Sequence, residues 1–365
     1  MKFSINKSEF LNALNVVAKG ASSRSTLPVL AGVKITARSA SLVLETTDLD
    51  RSIRCVVAAL VEDEGMCVIP QKLLSDIVKN LPDAAITVDV DDSEATVSCD
   101  KTSFTLHTLI PDDFPSFPEV NIDNQITVPF KQFSSAVKKV AKAASKDQSR
   151  AVLTGVLLRT TPEGMSIVAT DSYRLAVCNL KFDSAGEEFE ALVTSSFVLE
   201  VASLPEVQET IDICLSANQV MFRFGDTVMV NRRIEGKYPA YEKLIAGSYT
   251  TKTCYTTSAL ITAVKRVGLM SSAASPIKFD INEATKNTVL STNSQEIGTA
   301  SEVVSCEVNG ENVEIALNHQ YIIDGLSSIS TDHVFFETQG SMKPGVFRSG
   351  EGEDFLYLLM PVRLA

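Results

Sequence analysis

The chain has 365 residues, 45% of them hydrophobic, which is core material for two or three domains of roughly 100–200 residues each. Its formal net charge of −12 argues against nucleic-acid binding by the surface as a whole. No run approaches the roughly 18 apolar residues of a membrane span, and the seven cysteines form no close C-x-x-C pair, so a membrane helix and a disulfide framework are excluded as expectations. The opening MKFSINKSEF has no apolar h-region. The expectation is a soluble, cytoplasmic protein with reduced, buried thiols.

In chain order, KSEFLNALNVVAK sets Phe10, Leu11, Leu14, Val17 and Ala18 on one helical face, with Ser8 as candidate cap. Alternating strands VKITA, SLVLETT and SIRCVVAA follow. A second helix, IPQKLLSDIVKNLP, starts at Pro70 and is stopped by Pro82. Strands AITVDV, ATVSC and FTLHTL come after it. The turns RSAS, DDSE and, later, TPEG carry hairpin chemistry. Asp89, Asp91, Asp92 and Glu94 therefore read as a solvated hairpin rather than a cation site.

The pattern then recurs. Helix-to-strand segments begin at Phe10, Phe133 and Leu260, offsets of 123 and 127 residues. TDLDR at 47–51 returns as TDSYR at 170–174, and Thr292 and Asn293 hold the third equivalent place. Asp48 with Arg51, and Asp171 with Arg174, look like ion pairs at equivalent strand corners. TLHTLIPDDFPSFPEV, MVNRRIEGKYPAYEKLI and DFLYLLMPVRLA close the copies. Linkers fall near 121–126 and 246–252, giving domains 1–122, 126–247 and 251–365. Each copy reads as two βαβββ halves, an α+β domain with two helices on antiparallel sheet.

The charge is segregated. The first helices with their trailing loops, 10–24, 131–150 and 258–278, carry +2, +5 and +3, which leaves −22 on the rest. Lysine on one amphipathic helix is ordinarily a solvated face; three basic helices in register suggest one phosphate-facing surface. Nothing accompanies them that would read bases. No G-x-S-x-G, P-loop or H-E-x-x-H is present, and His107, His319 and His333 are far apart in sequence. GEG at 350–352 reads as a hairpin tip. An enzyme reading has no residues to stand on, no cofactor is expected, and no metal site. A peptide-binding repeat scaffold without DNA stays open on these grounds.

STLPVL after a basic loop, VATDSYRLAV, YPAY and MPVRL, in this order along the whole chain, resemble the beta sliding clamp family of the bacterial replicative DNA polymerase. The resemblance implies three tandem clamp-fold domains and a head-to-tail homodimeric ring with helices lining the pore. It implies a non-catalytic processivity factor that encircles duplex DNA without sequence preference. Partners would be the replicative polymerase catalytic subunit, the clamp loader, and repair and translesion polymerases and ligase-type proteins bound through short peptides. Arg24 matches a DNA-contacting arginine, and helix placement assigns Lys138, Lys142, Lys146, Arg150, Lys265 and Arg266 to the pore. A groove for peptides with Leu and Phe anchors would take Leu153, Thr170, Ser172, Tyr173, Arg174, Leu175, Pro239, Lys243, Leu244, Met360, Pro361, Val362, Arg363 and Leu364, with Arg174 as a polar grip at the rim. The dimer contact would use Lys72 and Lys101 against Glu296 and Glu302, supported by Leu269 and Met270. The chain departs from relatives at Lys243 (arginine in some), Tyr173 (histidine in others) and Ala365, which extends the terminus beyond leucine.

Overall fold

The chain folds as three successive modules of strands and paired helices. The first holds β1 (Lys2–Asn6), α1 (Lys7–Val17), β2 (Gly32–Arg38), β3 (Ser41–Thr47), β4 (Arg51–Ala58), β5 (Leu60–Asp63), β6 (Gly65–Pro70), α2 (Gln71–Asn80), β7 (Ala85–Asp91), β8 (Glu94–Cys99) and β9 (Thr102–His107). The second holds β10 (Gln125–Pro129), α3 (Phe130–Val140), β11 (Gly155–Thr161), β12 (Gly164–Thr170), β13 (Arg174–Lys181), β14 (Glu190–Thr194), α4 (Ser195–Val201), β15 (Thr210–Leu215), β16 (Gln219–Phe224) and β17 (Thr227–Arg232). The third holds β18 (Thr251–Thr256), α5 (Thr257–Val267), β19 (Ile277–Asn282), β20 (Asn287–Ser294), β21 (Gly298–Ser305), β22 (Glu307–Gly310), β23 (Val313–Leu317), α6 (His319–Leu326), β24 (His333–Thr338), β25 (Gly345–Ser349) and β26 (Phe355–Leu359). This computed structural model describes residues 1–22, 25–91, 93–119, 125–183, 190–205, 208–271 and 276–363.

The periodicities place the helices correctly. α1 buries Phe10, Ala13, Leu14 and Val17 on one face. Its cap is Asn6, not Ser8: the Asn6 side chain accepts from the Ser8 amide at 2.9 Å, because β1 runs straight into the helix. α2 lies between Pro70 and Pro82 as expected.

Sheet pairing changes one detail of the two-halves expectation. The strand that enters each helix joins the meander of the opposite half. β1 pairs with β7 and β6 with β2; β10 pairs with β15 and β14 with β11; β18 pairs with β24 and β23 with β19. The halves of every module are thus interlocked by backbone hydrogen bonds, and neither half completes its own sheet.

The chain divides into two compact units. One contains Met1–Lys131 and Ser203–Arg233, the other Gln132–Ala202 and Ile234–Ala365. The first unit has a five-stranded sheet, β5-β1-β7-β8-β9, and an eight-stranded sheet, β10-β15-β16-β17-β4-β3-β2-β6. The second has a nine-stranded sheet, β14-β11-β12-β13-β26-β25-β24-β18-β22, and a four-stranded sheet, β21-β20-β19-β23. Two ladders cross between modules: β17 on β4, and β26 on β13. Each closes a sheet that would otherwise end in an open edge.

Phenylalanines fill the cores. Phe3 meets Phe10 edge-on at 6.1 Å, Phe130 packs against Phe224 at 4.2 Å, and Phe336 against Phe347 at 4.7 Å. All seven cysteines are free thiols, and six of them are buried. Burial pushes the Cys178 thiol up to about 11 and the Cys67 thiol up to about 12.

Candidate functional site

The repeated corner is reproduced atom by atom. After β3, the Thr47 hydroxyl donates to the Arg51 carbonyl at 2.8 Å and accepts from the Leu49 amide at 3.1 Å. After β12, the Thr170 hydroxyl does the same with Arg174 (2.6 Å) and Ser172 (3.2 Å). Asp48 Oδ1 accepts from the amides of Asp50 (3.1 Å) and Arg51 (2.7 Å), and Asp171 Oδ1 from those of Tyr173 (2.9 Å) and Arg174 (3.0 Å). The arginine Nε then meets the other carboxylate oxygen, at 3.1 Å for Arg51 and 3.0 Å for Arg174. This is Asx-turn chemistry: a short acidic side chain replaces the backbone partners a tight turn leaves unmet. The residue between stands at positive φ in both, +78° at Leu49 and +81° at Ser172. Both expected ion pairs are therefore present, built into the corners themselves.

The second corner carries further parts. The Met360 amide donates to the Tyr173 carbonyl at 2.9 Å, which continues the β26–β13 ladder past Leu359. Val362 N–H donates to the Ala316 carbonyl at 2.8 Å, so the chain end is docked through that residue. Leu175 lies in a core cluster with Leu157, Leu358, Tyr238 and Tyr241, and this brings the segment flanking Pro239 behind the corner. Leu153 is buried at the end of a 3-10 turn, its carbonyl accepting from the Ser145 amide at 2.8 Å. Tyr173, Leu244 and Met360 remain exposed, as do Pro239, Lys243 and Arg363; Pro361 and Val362 are half-buried. Leu364 and Ala365 lie outside the described residues.

Arg174 does not project from the rim. Its side chain is 8% exposed, against 22% for Arg51. Nη1 donates to Asp324 at 2.5 Å and to the Tyr357 hydroxyl at 3.2 Å, and the guanidinium lies 4.4 Å over the Tyr321 ring. Burial works against its charge, yet Tyr357, Asp324 and Asp171 raise its pKa above the ordinary arginine value. Burial likewise raises the Tyr357 phenol, with Arg174 opposing.

The basic residues separate into two groups. Lys138, Lys146 and Lys265 are exposed on or just beyond α3 and α5. Lys142 is turned to the end of α6, donating to the hydroxyls of Ser328 (3.2 Å) and Ser327 (3.4 Å). Arg150, assigned from helix placement to the pore, is exposed and its Nη2 donates to Ser172 Oγ of the corner at 2.6 Å. Arg266 pairs with Glu302, Nε to Oε2 at 2.9 Å, within the same chain. Arg266 is solvent-exposed, so water and salt screen this pair and it breaks readily for another partner. Lys72, Lys101 and Glu296 are exposed, Met270 is half-buried, and Leu269 is 78% exposed. Arg24 and Asp92 lie outside the described residues. Sequence reasoning missed Asp324, Tyr321 and Tyr357; their partner Arg174 is 150 residues from Asp324, and no local pattern marks such a pair.

Among the described residues no group of three or more His, Cys, Asp or Glu side chains is placed to hold a metal, and no helix is long and apolar enough to cross a membrane.

Three copies of one interlocked two-helix module, joined by strand ladders, define a tandem clamp-domain protein. The descriptions that match are the DNA polymerase III beta subunit N-terminal domain over residues 1–118, its central domain over 127–240 and its C-terminal domain over 242–363. The chain belongs to the DNA polymerase III beta subunit family. It is 30% identical to a beta sliding clamp of Staphylococcus epidermidis over 374 residues, covering 100% of this chain and 99% of that protein. It is also 30% identical to a beta sliding clamp of Synechocystis over 389 residues, with full coverage of both. A DNA polymerase sliding clamp from Bacillus subtilis superposes with a TM-score of 0.95 at 27% identity, and one from Pseudomonas aeruginosa bound to griselimycin with 0.94 at 28%, each covering 100% of both chains.

Proposed function

We propose that the chain is a sliding clamp: two copies close head to tail around duplex DNA and tether the replicative polymerase, with no catalysis of their own. The observation that carries this reading is the ladder at each internal junction. The second half of module two reaches back to the first half of module one (β17 on β4), and that of module three to module two (β26 on β13). The same rule leaves β9 and β21 as outer strands of their sheets. Two copies satisfy it by pairing β9 of one with β21 of the other, an interface that closes on itself.

The register follows. Phe355 lies opposite Cys178, and Thr227 opposite Cys55. The β20–β21 hairpin sets Val303 at the position of Cys178, and the β8–β9 hairpin sets Thr102 at that of Thr227. Val303 then faces Thr102, and Glu302 faces Ser103 beside Lys101. Exposed Leu269, Val303 and Phe104 supply apolar surface for the contact.

With module limits 1–122, 126–247 and 251–365, the basic helices face DNA through Lys138, Lys146 and Lys265, with Lys142, Arg266 and Arg24 alongside. Such contacts attract phosphate without reading bases, and topology rather than affinity holds the duplex, so the clamp slides. The corner with Arg150, Leu153, Thr170, Ser172, Tyr173, Leu175, Pro239, Lys243, Leu244 and 360–364 binds short peptides from the polymerase, the clamp loader and repair enzymes. The cytoplasm is where these partners act.

The test is retention on DNA after loading by a clamp loader. Release from linearised but not from nicked circular DNA is expected. Equal loss from both would favour a peptide scaffold, which the net charge of −12 also suits.

A further inference from the structure

We propose that Asp324 is a positioning residue of the peptide groove: its carboxylate, reaching from α6, fixes Arg174 and through it the shape of the 170–175 corner. The inference rests on reading that corner as a peptide groove.

The two corners share the Thr, Asp and Arg contacts of the turn, and one difference between them lies in what the arginine does next. One contact of Arg51 runs from Nη1 to the neutral Lys19 carbonyl at 3.4 Å. Arg174 sends Nη1 to a carboxylate at 2.5 Å. That carboxylate is itself fixed. Its Oδ1 accepts from Gln320 Nε2 at 2.9 Å, and the Asp324 carbonyl accepts from the hydroxyls of Ser328 (2.9 Å) and Ser327 (3.2 Å). Lys142 binds the same two hydroxyls, so the segment just after α6 is held from the 3-10 turn that follows α3 as well. Gly325 completes the arrangement. A Cβ there would stand 2.3 Å from Tyr357 Cδ1, so only glycine lets that ring pass beneath α6 and bring its hydroxyl to Arg174.

The chemistry fits positioning, not contact. With Nε on Asp171, Nη1 on Asp324 and Tyr357, and one face on Tyr321, Arg174 is committed to the protein. Its backbone carbonyl is the one that Thr170 grips, and the neighbouring Tyr173 carbonyl anchors Met360. Moving Arg174 therefore moves both walls of the groove. A buried arginine deprived of one carboxylate seeks water or another acceptor, and the corner moves with it.

Fluorescence anisotropy of a labelled pentapeptide with Leu and Phe anchors, on the intact protein, tests this. Asp324→Ala and the isosteric Asp324→Asn are expected to weaken Kd about 10-fold or more, with the solution mass unchanged. In an Arg174→Ala background, Asp324→Ala is expected to add less than about 2-fold, because the carboxylate acts through the arginine. A general loss of stability would not vanish in that background. Wild-type affinity in both Asp324 variants, or an equal added loss in the Arg174→Ala background, overturns the proposal. Should Asp324→Ala not fold, Asp324→Asn carries the same cycle. Peptide binding that survives Leu175→Asp in a folded protein would instead overturn the groove reading, and this inference with it.

Discussion

At the residue scale, the sequence showed that Thr47 and Thr170 are one corner written twice, and the ion pairs within each corner were legible from their spacing. What Arg174 is for was not. Its partners Tyr321, Asp324 and Tyr357 come from another module, and linear spacing holds no trace of a contact that only folding creates. Gly325 was equally silent, since a helical glycine signals nothing until Tyr357 is seen beneath it. Gly325→Ala is expected to cost about 1–3 kcal/mol of stability in denaturant unfolding by forcing Tyr357 aside, and to weaken peptide binding in parallel. An unchanged midpoint would mean that the ring has room to move. The thiols give a second check. Cys254 is the one cysteine not buried. Mass spectrometry after brief treatment with a maleimide is expected to find Cys254 modified first, with Cys67 and Cys178 protected by burial until the protein unfolds. Early labelling of Cys178 would contradict the packing of β13.

At the element scale, helices α1 and α2 and most strands of the first module followed from periodicity and from Pro70 and Pro82. The exchange of entry strands did not, because β1 and β6 alternate no differently whichever meander they join; partner choice belongs to tertiary packing. The proposed pairing of β9 with β21 carries a sharp prediction. Ser103→Cys combined with Glu302→Cys is expected to form an interchain disulfide on mild oxidation, since transfer of the internal ladders sets them opposite one another. A crosslink that prefers Ser301→Cys over Glu302→Cys would shift the register by one residue and break the equivalence of the three junctions. The chain end yields another. Among the described residues, deleting 360–365 removes the backbone hydrogen bonds of Met360 and Val362, worth about 1 kcal/mol each, so the fold is expected to survive. Peptide affinity in the anisotropy assay is expected to disappear. Retained affinity would place the groove elsewhere.

At the scale of the whole molecule, net charge alone misleads. The −12 total conceals three basic helix segments amounting to +10, and only the repeat shows that these occupy equivalent places. Threefold recurrence was also what made the fold legible, since each copy corroborates the others where a single copy would be ambiguous. The proposed ring would extend the same recurrence by pairing the outer strands β9 and β21. Sedimentation equilibrium at micromolar concentration tests that pairing most directly. The account predicts a particle of about twice the 39.4-kDa chain mass, falling to one chain mass with Leu269→Asp. A single-chain mass for the unaltered protein, or a dimer indifferent to Leu269→Asp and to charges placed on β9, would contradict it.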